Sequence, residues 1–232
     1  MATELSTTHE DEQHSAGTGS HGDFQHAHIA ALEDGLDFIN TIEFGRHGPE
    51  EELLSAEDAL RWLQQHELMH LDSLEELAAL VRVAPRTGDR LLNRVRRVRA
   101  AMRELVEATV ERRPPDLAQL AEINRALRTH YIYELVPAPD GASLDHRHEG
   151  DPVDGALARL AESLAREVSQ GDPSRLRICA NDHCRWVFVD TSRTGRRKWC
   201  DMATCGNQAK AARFRERRRE AHGEGQGEAV SA

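Results

Sequence analysis

Apolar positions along the chain recur at the helical period for most of its length and alternate in only one short stretch. Leu36-Asp37-Phe38-Ile39-Asn40-Thr41 opens the ordered part and predicts a short helix ending near Gly45, with Pro49 marking the loop behind it. Ser55-Ala56-Glu57-Asp58 opens a second helix that buries Leu60, Trp62 and Leu63, and the capping box Ser73-Leu74-Glu75-Glu76 predicts another through about Arg82. Beyond Pro85 and Gly88 comes the longest helix, expected from about Asp89 to Arg112, with Leu91, Val95, Val98, Met102, Leu105 and Val110 on one face. Pro114-Pro115 stops it, and Asp116 caps a further helix carrying Leu117, Leu120, Ile123 and Leu127. The alternating stretch is Tyr131 to Val136. With the turn Pro139-Asp140-Gly141 and residues 142–148 it predicts a β-hairpin. Asp151-Pro152 is an N-cap followed by proline at the first helical position, and it launches Val153, Leu157, Leu160, Leu164 and Val168 on one face until Gly171-Asp172-Pro173.

At 232 residues and 39% hydrophobic content the chain can bury one modest core plus a small appended module, and with 4% aromatics that core must be aliphatic. No segment approaches the eighteen or so apolar residues of a membrane span. The net charge of −10 argues against a nucleic-acid partner until it is divided. From Arg175 to Glu220 there are 13 Lys and Arg against 5 Asp and Glu, a net of +8, which leaves −18 for the rest. A basic end joined to an acidic body suggests one surface for nucleic acid and another that keeps the protein soluble or meets a partner.

All four cysteines lie in that basic end: Cys179-x4-Cys184, then fifteen residues, then Cys200-x4-Cys205. Two close pairs brought together by a turn supply the four soft ligands that Zn²⁺ takes in a tetrahedron, with little entropy lost in closing the loops. Two disulfides, or unrelated free thiols, are the competing readings. The chain opens without a basic and apolar leader, so an oxidising compartment is not indicated; a reducing, cytoplasmic location and a single structural zinc are expected. Four thiolates leave no open position for water, which argues against a catalytic ion. His183, beside Cys184, reads as a surface neighbour. Between the pairs, Arg185 to Asp190 is strand-like and Thr191 to Gly195 is turn chemistry, so a hairpin with a basic tip (Arg193, Arg196, Arg197, Lys198) is expected. After Gly206, Asn207 caps a basic helix that carries Gln208, Lys210, Arg213, Arg215 and Arg217. Ala211 and Phe214 form the strip expected to pack against the hairpin, leaving the cations for phosphates and Gln208 as a neutral amide able to touch a base edge.

Three features compete for attention. Residues 1–27 are nearly devoid of apolar side chains and predict a disordered tail, in which the irregular spacing of His9, His14, His21 and His26, with His28 just beyond, favours a solvated segment over weak metal binding. His66-Glu67-Leu68-Met69-His70 spells the H-E-x-x-H of zinc peptidases, but the capping box at Ser73 implies that the helix is ending there, so no catalytic residue is assigned. Nine arginines between Arg86 and Arg113 read as a solvated, salt-bridged face, with an extra phosphate surface as the alternative.

The run from Cys179 through Arg185-Trp186-Val187-Phe188-Val189-Asp190 and Trp199-Cys200 to Cys205-Gly206-Asn207 and Lys210-Ala211-Ala212-Arg213 resembles the CGNR zinc finger of bacterial proteins. Gln208 departs from it, standing where that pattern has arginine. The body resembles the mostly helical ABATE domain that precedes such fingers, through Leu36 to Thr41 and Leu53 to Leu63. These resemblances imply a stress-induced transcription regulator, not an enzyme, whose finger binds DNA. The whole reads as a mainly α protein: a tail (1–27), a helical regulatory or sensing domain with a small β-hairpin (28–171), a zinc finger of β-hairpin plus C-terminal helix (172–221) and a second disordered tail (222–232). DNA is the expected partner, with the transcription machinery or a small-molecule signal as further ones. The alternatives are a zinc-stabilised protein-binding adaptor and, third, the peptidase.

Overall fold

The computed structural model describes residues 30–45, 47–138 and 141–227. The expected tail at 1–27 and its histidines, and residues 228–232, lie outside them. Seven helices and three two-stranded antiparallel sheets make up the described fold. In chain order they are α1 (Leu32–Asn40), β1 (Ile42–Gly45), β2 (Gly48–Glu51), α2 (Ala56–Gln65), α3 (Leu71–Val83), α4 (Pro85–Glu111), α5 (Leu117–Ala126), β3 (Tyr131–Ala138), β4 (Gly141–His148), α6 (Pro152–Gln170), β5 (Leu176–Ile178), β6 (Val187–Val189) and α7 (Asn207–Gly227).

The core is aliphatic, as composition demands. Leu91, Val95, Val98, Met102 and Leu105 of α4 and Val153, Leu157, Leu160 and Leu164 of α6 are buried together with Phe38, Ile39, Leu60 and Leu63. Local signals set several helix starts. Ser55 accepts the Asp58 amide while Asp58 takes the Ser55 amide back, closing a capping box on α2. Asp116 and Asp151 cap α5 and α6.

Four sequence expectations change. The chain after α1 is not helical to Gly45: Thr41 turns its hydroxyl onto the Phe38 carbonyl at 2.8 Å, and β1 and β2 then form a hairpin over Phe44 and Pro49. α3 begins at Leu71 with His70 in the cap position, because Leu68 and Met69 are pulled into the core and fix where the loop ends; Ser73 lies inside the helix. Leu117 of α5 faces solvent at 80% exposure. In the cysteine-rich region, β6 pairs with β5 upstream and not with residues 196–199. The turn between the first two cysteines is the cause. Arg185, in the left-handed region at φ 50°, closes it so that the Cys179 amide reaches the Trp186 carbonyl at 2.8 Å.

Six of the nine arginines around α4 are engaged inside the body. Arg99, buried, donates to Thr41 and Glu51 at 2.8 and 2.6 Å; Arg96 holds the Leu53 carbonyl; and Arg103 stacks over Phe44. Arg94 bridges Asp151 and Asp154, Arg97 meets Glu122, and Arg113 meets Glu104 and Glu111. Burial alone would push the Glu51 carboxyl up, but Arg99 outweighs it and holds the group below its usual range.

The cysteine-bearing segment is not a separate body. Leu176 and Val187 belong to the main core. Asn40, 2% exposed, donates its amide to the Val187 carbonyl at 2.9 Å and accepts the Val187 amide at 2.8 Å. Arg103 reaches the Arg185 carbonyl, and Arg185 reaches Glu107. Replacing Asn40 by alanine strands both polar groups of Val187 in the core, so Asn40→Ala is expected to lower stability by about 2–4 kcal/mol. A fall in the urea midpoint with an unchanged slope checks this; an unchanged midpoint contradicts it.

Candidate metal centre and basic helix

Two turns carry the cysteines. In the first, Asn181 closes the loop: its carbonyl accepts the Cys184 and Arg185 amides, and its side-chain oxygen accepts the His183 amide at 3.1 Å. In the second, Asp201 accepts the Thr204 amide and hydroxyl at 2.7 and 2.8 Å, starting a π-helical turn over Met202–Gly206 that runs directly into α7. A Cβ at Gly206 would sit 2.7 Å from Met202 Sδ and 3.3 Å from the Trp199 ring, so a larger residue there would need the exposed Met202 side chain to move aside. One backbone bond, Ala180 amide to Lys198 carbonyl at 2.8 Å, ties the turns together.

The loop between the pairs is organised by Asp190, 1% exposed, whose carboxylate accepts the Ser192 and Arg197 amides at 2.9 and 2.7 Å. Burial opposes its ionisation, yet these donors and the Arg177 charge bring its pKa down to about 2.

The four sulfurs meet. All lie within 4.8 Å of one another, with Cys184 to Cys200 at 3.6 Å and Cys200 to Cys205 at 3.9 Å. A tetrahedral ion with sulfur ligands at about 2.3 Å needs sulfur-to-sulfur edges of about 3.8 Å, so the donor set fits Zn²⁺. Trp186, Trp199 and Phe188 pack around the cluster. Burial pushes the Cys184 thiol up to about 11 and, with its thiol neighbours, raises Cys200 further. Burial works against Cys205 too, but the Asn181 amide, 3.4 Å from its sulfur, and the neighbouring thiols hold it below the ordinary thiol range. Four crowded sulfurs cannot ionise together without a positive charge among them. A divalent cation would supply it and displace the protons.

The predicted contact residues are placed unevenly. Arg193, Arg196 and Lys198 are exposed on the loop, whereas Arg197 lies over the Phe188 ring at 5.1 Å and donates to the Cys200 carbonyl. On α7 every side chain from Lys210 to Arg219 is exposed, including Arg213, Arg215 and Arg217. The expected packing of Ala211 and Phe214 is not found: Phe214 is 53% exposed, with the Arg218 guanidinium 5.8 Å from its ring. Because α7 continues straight out of the π-helical turn, only its first residues touch the finger. It also runs to Gly227, into the segment expected as tail. Gln208 accepts from Asn181 at 3.2 Å.

The H-E-x-x-H residues do not share a helix. His66 ends α2, stacked on Trp62 and bonded to Asp34 at 2.9 Å, Glu67 has φ 56°, and His70 precedes α3. Sequence reasoning missed Asn181 and Asp190. The Asn-Asp pair inside the first cysteine turn was a readable turn signal, whereas Asp190 looked like the end of a strand.

No curated protein matches the chain. Residues 175–218 match the family model of the CGNR zinc finger, across all four cysteines and the first half of α7. Residues 35–171, from α1 to the end of α6, match the ABATE family, described as "Putative stress-induced transcription regulator". Neither description is that of an enzyme. With more than half of its length inside the second match, the chain belongs to the ABATE regulator family and carries a CGNR zinc finger behind that domain.

Proposed function

We propose that this protein is a zinc-dependent, DNA-binding transcription regulator whose helical body governs a C-terminal finger. The observation that carries the reading is the contrast between two sets of arginines. Those of α4 are mostly neutralised by carboxylates of the body, while Lys210, Arg213, Arg215, Arg217, Arg218 and Arg219 stand exposed on α7 with Glu216 as the one acidic residue among them. A helix this cationic repels itself and is satisfied by a polyanion. Arg193, Arg196 and Lys198 extend the surface from the loop, with Arg197 bracing that loop from beneath. The second reading, a protein-binding adaptor, draws on the exposed Phe214.

The body's regulatory role rests on the path of α4. A cleft of about 420 Å³ at the base of the β3–β4 hairpin is lined by Arg94, Arg97, Thr129 and Asp154, and it offers room for a small-molecule signal. Further along the same helix, Arg103 and Glu107 hold the finger.

Zinc is expected at one ion per chain, held by Cys179, Cys184, Cys200 and Cys205. Cys200→Ser should release it and make residues 191–227 protease-sensitive, while the β5–β6 pair stays anchored in the core. Protein purified under reducing conditions without bound zinc would contradict this.

If Lys210, Arg213 and Arg217 each neutralise a phosphate, replacing all three by alanine should lower the slope of log affinity against log salt by about 2–3 and weaken all duplexes alike. Titrations at several salt concentrations read it directly. An unchanged slope with zinc retained favours the adaptor.

A further inference from the structure

Gln208 stands second in α7, beside the sulfur cluster, and its amide is held by a chain of bonds that begins at a main-chain donor. The His183 amide can only donate, so the Asn181 side-chain atom that it meets at 3.1 Å is the oxygen. The Asn181 nitrogen therefore faces the other way, where it lies 3.4 Å from Cys205 Sγ and 3.2 Å from Gln208. A nitrogen donor there requires the oxygen of Gln208 to point inward, which turns its own nitrogen and two N–H groups outward. Gln208 is exposed, and its nitrogen has no protein partner among the described residues.

Its surroundings connect the two cationic stretches. The Ala180 amide, next to Asn181, holds the Lys198 carbonyl at 2.8 Å, which brings the basic loop's main chain to the turn that holds Gln208; along α7 the exposed Arg215, seven residues on, lies on the same face as Gln208. A neutral side chain between flanking cations touches what lies between phosphates. In the major groove that is a base edge.

A free glutamine reads adenine in two-point fashion, accepting from N6 and donating to N7. Here the accepting half is turned into the protein and held by Asn181. We propose that Gln208 is a donor-only reader of a base edge, selecting guanine, whose O6 and N7 are adjacent acceptors, over adenine, with Asn181 as the residue that positions it. This inference rests on the DNA-binding reading above and adds to it the class of base and the residue that sets it.

The test is selection from a randomised duplex library with the full-length, zinc-loaded protein, repeated with Gln208→Met and Asn181→Ala after confirming zinc content. Wild type should select sites sharing a guanine, and Gln208→Met should erase the preference at that one position, a loss of at least about fivefold, with the salt slope unchanged. Asn181→Ala, which frees the amide to turn, should broaden the position from guanine to either purine. Because Asn181 also touches Cys205, Gln208→Met remains decisive if Asn181→Ala loses zinc. A wild-type motif that Gln208→Met leaves intact, or tight binding with no motif, overturns the inference and leaves DNA binding standing. Failure of wild type to bind any duplex overturns both.

Discussion

The paired hydrogen bonds between Asn40 and the main chain of Val187 decide what kind of molecule this is. They join the end of the first helix to the strand between the two cysteine pairs, and they lie where water cannot replace them. Through them the first cysteine turn is held on the helical body, and not on a flexible linker. Leu176 and Val187 contribute to the same core, so the boundary between the two family matches is a boundary of sequence and not of packing. The sulfur cluster then carries that rigidity one step further, to the base of α7.

Beyond that base the physical logic reverses. In the body most arginines of the long helix face a carboxylate or a carbonyl, with Arg99 almost wholly buried against Thr41 and Glu51. Among the described residues the cations of α7 from Lys210 to Arg219 have no such partners, and the helix buries no apolar face over that stretch. Its first turn is secured by the metal-binding turn, and the rest presents charge to solvent. A rigid mount ending in an unneutralised cationic helix is suited to a partner that brings its own negative charge.

What the sequence made legible were features whose cause is local. Cysteine spacing gave the four-sulfur cluster; the periodicity of α4 and α6 gave the core faces; Ser55, Asp116 and Asp151 gave three helix starts. Features with distant causes were not legible. β1 and β2 depend on Glu51 meeting Arg99 across the fold, and the pairing of β6 depends on a cysteine turn whose closure needs Arg185 in a left-handed conformation. The packing expected of Phe214 assumed that α7 folds back over the finger, but the π-helical turn sets its direction instead. Asn181 escaped notice because its importance lies in which way an amide points, which spacing does not encode.

The most direct measurement is hydrogen exchange along the whole zinc-loaded chain, with and without duplex DNA at low salt. The account predicts that DNA slows exchange in α7 and in the loop 190–199, while the α4 amides, already protected in the core, do not change. Slowed exchange on the body with α7 unaffected, or none anywhere under conditions where DNA is bound, would contradict it.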